Sequence, residues 1–322
     1  MLKKIDLFIV GLILMLLSAW LFPQLGTYDG PGNLEQITDI GITLIFFFYG
    51  LKLSPQQFKS GLSNYRLHIL IQLATFVLFP LLVIVFKPFI NTDEQQMLWL
   101  AMFFLAALPS TVSSSVVMVV LAKGNIAGAI FNASISGLIG IVLTPLWMGL
   151  FWQVEGAAFD FFDITTSLVL QILLPVVAGL LLHHSLGGYV KKHLKALAWF
   201  DKMIILLIVY NSFSKSFTTG LFETISFIDM VLIGIATIVL FALVYGIIHL
   251  FTRWFGFNRE DRIAALFCGS KKSLVHGTVF SKVLFENVAS QGLFLVPIML
   301  YHSFQLIIVS FIAQRMGRQV KD

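Results

Sequence analysis

Lys271 and Lys272 stand side by side in an otherwise apolar run, between Ser270 and Ser273 and one turn before His276. An ammonium is a compact point charge with three hydrogen-bond donors and no acceptor. Buried away from water, it needs a partner, a ligand or a wet cavity. A second cluster reads Leu108-Pro109-Ser110-Thr111-Val112-Ser113-Ser114-Ser115. Proline removes a backbone donor and clashes with the preceding turn. The five hydroxyls beside it could satisfy the freed backbone or coordinate a ligand. Hydroxyl and ammonium donors together suit an anion. His276 could be a structural donor or a proton carrier. Gln72, and the trio Asn132, Ser134 and Ser136, are candidates for the same site, the trio with plain backbone bonding as its alternative.

The elements that must hold these residues are set by composition. Of 322 residues, 58% are hydrophobic and 11% charged, with a mean hydropathy of +0.93. Soluble domains carry roughly 25% charge, so most of this chain belongs in a low-dielectric solvent. The basic residues fall in short loops between apolar runs, which reads as membrane topology rather than nucleic-acid binding. A lone cysteine, Cys268, excludes an internal disulfide framework. Apolar runs near 5–22, 34–51, 66–86, 97–121, 126–152, 164–184, 200–219, 227–252, 260–284 and 290–315 predict ten membrane-spanning helices. The first ends in Trp20-Leu21-Phe22-Pro23 without a small-residue cleavage site, so it is expected to be a span and not a signal peptide.

Charge predicts the orientation. With the N-terminus in the cytoplasm, 16 of the 21 Lys and Arg residues, including Lys3, Lys4, Lys59 and Lys321, fall on the cytoplasmic side. Lys87, Lys215 and Lys282 fall opposite. A multi-pass inner-membrane protein with both termini inside satisfies the positive-inside rule. Lys271 and Lys272 are left within the ninth span, where an ammonium costs at least about 2.5–3.5 kcal/mol even on lenient insertion scales. The alternative puts them in a short surface loop. Against it, the basic loop ends at Arg262 and residues 263–269 lead inward.

A shift of 162 residues superposes the chain on itself without gaps. Ala74-Thr75-Phe76-Val77-Leu78-Phe79 falls on Ala236-Thr237-Ile238-Val239-Leu240-Phe241, and Asp39 on Asp201, Ser54 on Ser216, Asn125 on Asn287 and Ala127 on Ala289. Residues 1–155 and 160–317 then form two repeats of five helices. An odd number makes them inverted, the architecture of several secondary transporters. The shift places Pro109 on Lys271, so both interrupted helices, the fourth and ninth, break at one depth. Asn125 and Asn287 read as helix N-caps. Asp39 and Asp201 are expected at helix ends facing water.

Together, Phe46-Phe47-Phe48-Tyr49-Gly50-Leu51, Leu108-Pro109-Ser110-Thr111, Leu121-Ala122-Lys123-Gly124-Asn125 and Phe267-Cys268-Gly269-Ser270-Lys271-Lys272-Ser273-Leu274 make the chain resemble the bile acid:sodium symporter family, solute carrier family 10, closest to its member-seven-like bacterial branch. The resemblance implies a core domain of helices 3–5 and 8–10 and a panel domain of helices 1, 2, 6 and 7. Helices 4 and 9 would be unwound and cross, with substrate between panel and core. The family's sodium ligands fall on Ser114 and Ser115, which makes those two the candidate sodium ligands. They also fall on Phe267, Lys271, Lys272, Ala129 and Ala133, so the family's carboxylate and several oxygen ligands are absent. A lysine could stand in for the cation or carry a coupled proton.

These readings converge on a secondary active transporter, symporter-like, for a small organic anion, working by alternating access with sodium or a proton as coupling ion. No other cofactor and no enzymatic activity is expected. A serine hydrolase built on Ser114 and His276 lacks an oxyanion motif, and a channel does not suit a chain that is internally two-fold. The remaining alternative is a non-transporting membrane regulator linked to calcium homeostasis. The bilayer is the expected surrounding, and the oligomeric state is open, a monomer being sufficient.

Overall fold

A computed structural model of the protein describes residues 7–52, 64–111, 113–152, 160–220, 226–285, 288 and 291–318, without the side chains of Ile9, Ser113 and Lys191. Lys3, Lys4, Ser54, Lys59, Val112, Asn287, Ala289 and Lys321 lie outside the described residues.

Every regular element among the described residues is helical. Seven helices are long and apolar enough to cross a membrane: Leu34–Lys52, Tyr65–Phe89, Ile126–Phe151, Phe161–Leu181, Leu194–Thr218, Phe227–Trp254 and Gln291–Arg318. The first apolar run forms Leu7–Leu21. The fourth and ninth runs, expected near 97–121 and 260–284, are each two helices: Asp93–Ala107 with Ser113–Leu121, and Arg259–Gly269 with Leu274–Leu284. An additional helix, His183–Lys192, follows the sixth run. Large apolar side chains such as Leu14, Ile235 and Phe311 are exposed, as expected of helices whose outer faces meet lipid.

Prolines shape the third and sixth runs in the same way. Ala74–Leu78 and Val169–Leu173 are π-helical turns, each ending just before Phe79-Pro80 or Leu174-Pro175. In the first, the Phe79 amide donates to Ala74 O, leaving the Thr75 carbonyl without its α-helical donor. Pro80 has no N–H to give Phe76 O, and the Trp147 indole supplies one at 2.8 Å.

The chain makes two compact units. The first comprises Met1–Ser54, Val154–Ser226 and Thr278–Leu295. Two glycines set its closest helix approach: a Cβ on Gly50 would lie 2.1 Å from Val176 O, and one on Gly179 2.1 Å from Phe47 O. Asp39 and Asp201 are not simply solvated, as expected from the sequence. Both sit inside helices and bind cations: Asp39 pairs with Lys282, and Asp201 with Lys52 at 3.3 Å. The periodicity that places a carboxylate near a helix end does not reveal a lysine distant in sequence.

The second unit comprises Pro55–Gln153, Phe227–Gly277 and Val296–Asp322. Its helix ends gather on the first turn of Arg259–Gly269. Asn64, Asn125 and Asn258 each cap their own helix through Oδ1, to Leu67, Gly128 and Asp261 amides. Each also turns its Nδ2 to the buried Asp261 carboxylate, at 2.7, 2.6 and 3.0 Å. Arg259 donates to the carbonyls of Ala122, Lys123 and Met316 near the ends of two other helices. An anion is thereby shared by helix N-termini and a cation by C-termini, each matching the local dipole.

Candidate functional site: two hydrogen-bonded helix breaks

Both breaks lie in the second unit, and they are bonded to each other. Ser273 N–H donates to Pro109 O at 3.0 Å, and the Ser110 hydroxyl donates to Cys268 O. A helix that stops inside a protein leaves its last carbonyls without donors. Here each is met. Leu105 O receives the Leu108 amide, Ala107 O the Thr144 hydroxyl, and Ala106 and Leu108 O the Lys272 ammonium. On the donor side, Ser110 N–H is taken by Ser136 Oγ at 3.0 Å. Gly137 and Gly140 let the Ile126–Phe151 helix come close: Cβ atoms there would lie 2.7 Å from His276 Nε2 and 3.0 Å from the Pro109 ring.

Lys272 is fully buried. Its Nζ donates to three carbonyls, Thr75 O at 2.8 Å, Ala106 O at 2.6 Å and Leu108 O at 2.7 Å. All three are orphans of local structure, the first of the π turn and the others of the break. The Phe79 ring centroid lies 4.1 Å from the same nitrogen, a cation–π contact on the remaining side. Three donors meet three acceptors, so Lys272 has no hydrogen left for a ligand. Its backbone is gripped by Gln305, which accepts from Lys272 N at 3.0 Å and donates to Lys272 O at 2.9 Å. Tyr301 OH donates to Ser270 O at 2.7 Å.

Lys271 differs. It is equally buried, yet among the described residues its ammonium bonds one group, the Ser114 hydroxyl, at 2.8 Å. Ser114 in turn donates to Thr111 Oγ1 at 3.3 Å. Neither lysine has a carboxylate partner among the described residues. Among the described residues the breaks therefore hold two buried lysine ammonium groups with no carboxylate beside them, near the N-termini of Ser113–Leu121 and Leu274–Leu284.

The other candidates divide. Ser110, Thr111, Ser114, Ser136, Ser270 and Ser273 are at the breaks. Ser270 Oγ bonds back to Leu266 O, and Ser273 Oγ accepts the His276 amide and meets His276 Nδ1 at 2.9 Å. Ser115 is buried, its hydroxyl without a partner among the described residues, and Ser134 is buried. Ser113 lies at the start of its helix, its side chain outside the description. Gln72 and Asn132 bond each other, at 3.2 Å, and Asn132 reaches His68 Nδ1 at 2.8 Å, one turn away from the break. The Ser114 hydroxyl goes to Lys271 and Thr111, so it forms no dyad with His276.

The profile of the SBF-like CPA transporter family matches residues 6–318. This chain belongs to that family. It is a multi-pass membrane protein of a transporter family, not an enzyme. The chain is 38% identical over 317 residues to the Pseudomonas aeruginosa protein PA2026, covering 98% of this chain and 94% of that one. It is 35% identical over 320 residues to the putative symporter YfeH of Escherichia coli, covering 99% and 95%. To the sodium/bile acid cotransporter 7-B of Xenopus laevis it is 28% identical over 306 residues, covering 94% and 89%. The bile acid:sodium symporter resemblance read from the sequence agrees with these relatives.

For this SBF-like chain, sequence reasoning missed Gln305, a lone amide in an apolar run, which is the signal that could have found it. It also missed the buried polar stretch Asn211, Ser212, Ser214 and Ser216 in the first unit. There Asn211 donates to Gly26 O at 2.9 Å and Ser216 Oγ accepts Gly292 N at 2.8 Å.

Proposed function

We propose that the chain is a secondary active transporter of a small organic anion, working by alternating access. The observation that carries this reading is the buried Lys271 ammonium at the hydrogen-bonded helix breaks, which among the described residues bonds one hydroxyl and meets no carboxylate. Such a site is completed by a negative ligand. An ammonium kept in a dry interior without a counter-charge is costly, and a substrate carboxylate, sulfate or phosphate would offset that cost through charge-assisted bonds.

The architecture proposed with it is ten spans in two inverted repeats, 1–155 and 160–317, divided into panel and core. The gapless 162-residue shift supports it, as does the occurrence of both breaks at corresponding points. Placement in the inner membrane with both termini cytoplasmic follows from the loop charges. Symport is proposed because relatives are named as a symporter and as sodium/bile acid cotransporters.

Reconstituted protein tests the proposal. Vesicles holding the purified chain are expected to accumulate one or more labelled organic anions under an imposed ion gradient, with saturable uptake. Anions that bind without any gradient-driven flux would overturn it in favour of a regulator.

A further inference from the structure

We infer that Lys272 is a cation built into the chain, occupying the place where an exchangeable sodium ion would otherwise hold the broken helices together. This rests on the transporter reading above. A helix break with converging carbonyls is an environment for a monovalent cation, because each oxygen carries partial negative charge and has lost its own donor. The Lys272 ammonium sits in such a place: Thr75, Ala106 and Leu108 oxygens within 2.6–2.8 Å of one nitrogen, and an aromatic face on the open side. The bonds are made by Nζ at the end of a stem whose backbone Gln305 fixes at both N–H and C=O. The charge therefore cannot exchange with solvent.

The neighbouring hydroxyls do not offer a second seat for sodium. Ser114 Oγ already accepts from the Lys271 ammonium, which repels any cation brought to Ser114 or Ser115. Among the described residues no cluster of three His, Cys, Asp or Glu side chains could hold a metal ion. Sodium needs several oxygen ligands and gains from a carboxylate; this break offers two ammonium groups instead. The donor set does not fit the ion, and the carbonyls that would fit it are taken by Lys272. The structure thus assigns to Lys272 the structural work of a coupling cation and removes sodium from the driving force at this site.

Purified protein in detergent, unfolded thermally at equal ionic strength in sodium, potassium or N-methylglucamine chloride, tests this without reference to transport. The wild type is expected to unfold at one temperature in all three. Lys272→Ala leaves three carbonyls and the space of the ammonium; its Tm is expected to fall by about 5 °C or more. Sodium or methylammonium should then restore part of the loss, while N-methylglucamine, too large to enter, restores none. A wild-type Tm that rises in sodium over potassium would overturn the inference, as would a Lys272→Ala variant as stable as the parent. Should Lys272→Ala not fold, Lys272→Arg, which keeps the charge, is expected to fold, and the wild-type salt series still decides. In vesicles, uptake is expected to be the same with sodium or potassium outside. If no anion is taken up under any gradient, the transporter reading fails while the thermal series still judges Lys272.

Discussion

The amide of Ser273 and the carbonyl of Pro109, 164 positions apart in the numbering, meet at 3.0 Å and stitch one helix break to the other. A backbone bond between two unwound segments means that neither can shift alone without exposing an N–H or C=O in a dry interior, at about 1–3 kcal/mol for each group. The two breaks behave as one part. Gln305, Tyr301, Thr144 and Ser136 bond further backbone groups of that part, so its stability should depend on residues that touch no ligand.

Gln305 is the sharpest case. Replacing it by leucine keeps the bulk but removes the acceptor for Lys272 N and the donor for Lys272 O, both buried. The expected cost is about 2–4 kcal/mol. Gln305→Glu retains the acceptor and loses the donor, and should fall between leucine and wild type. Thermal unfolding of the purified variants orders the three; a leucine variant at least as stable as the glutamate variant would contradict the two-point grip.

How far this arrangement is legible in the sequence follows from what periodicity and composition carry. Pro109 and the lysine pair announce the breaks, because proline lacks an N–H and an ammonium is out of place in an apolar run. The helices themselves follow from hydropathy. What the breaks bind does not. The Lys272 acceptors are main-chain carbonyls freed by a π turn and a helix end, and main-chain oxygens have no sequence signature. Nor does the sequence distinguish Lys271 from its neighbour. Adjacent residues on an unwound segment point different ways, and only coordinates show that, among the described residues, one ammonium bonds three carbonyls and the other a single hydroxyl. The Lys282–Asp39 pair was hidden for a similar reason, each residue alone reading as an ordinary loop-side charge.

Asp261 should be as consequential as any site residue, though it lies at the far end of the Arg259–Gly269 helix from the break. Three asparagine amides donate to it, and each asparagine caps a helix. Asp261→Ala removes the shared acceptor and is expected to cost about 3 kcal/mol, since bonds to a charged group contribute more than neutral ones. Asn64→Ala removes one cap and one donor and should cost about 1–2 kcal/mol. The check is again thermal unfolding in detergent. Equal losses for the two variants would mean that the carboxylate is not a shared node.

Two lysines in the first unit should respond unequally to removal. Lys282 is 7% exposed and donates to Glu35 O and Thr38 Oγ1, both at 2.9 Å, as well as to the Asp39 carboxylate. Lys215 meets Glu35 at 3.2 Å with both side chains about a third exposed. Lys282→Met is expected to destabilise by about 2 kcal/mol through the acceptors left behind, whereas Lys215→Met should cost at most about 1 kcal/mol, and less in high salt. A salt titration of both variants separates them: only the Lys215 effect should fade.

Lys271 and Lys272 should separate stability from ligand binding. Lys272 spends its three donors on the protein's own carbonyls, so its loss is felt by the fold. Lys271 bonds a single hydroxyl among the described residues, so Lys271→Ala leaves fewer groups unpaired and relieves the burial of an uncompensated charge. It is expected to keep or slightly raise the Tm while weakening binding of the proposed anionic substrate at least tenfold, about 1.4 kcal/mol or more. Lys271→Arg keeps the charge but presents a planar fork in place of a point donor, and should recover part of the binding. The measurement is a thermal shift with increasing anion for wild type, Lys271→Ala and Lys271→Arg. The anion should raise the wild-type Tm, barely move that of Lys271→Ala, and act on Lys271→Arg to an intermediate degree. An anion that stabilises Lys271→Ala as much as wild type would show that the second ammonium, too, serves the fold alone.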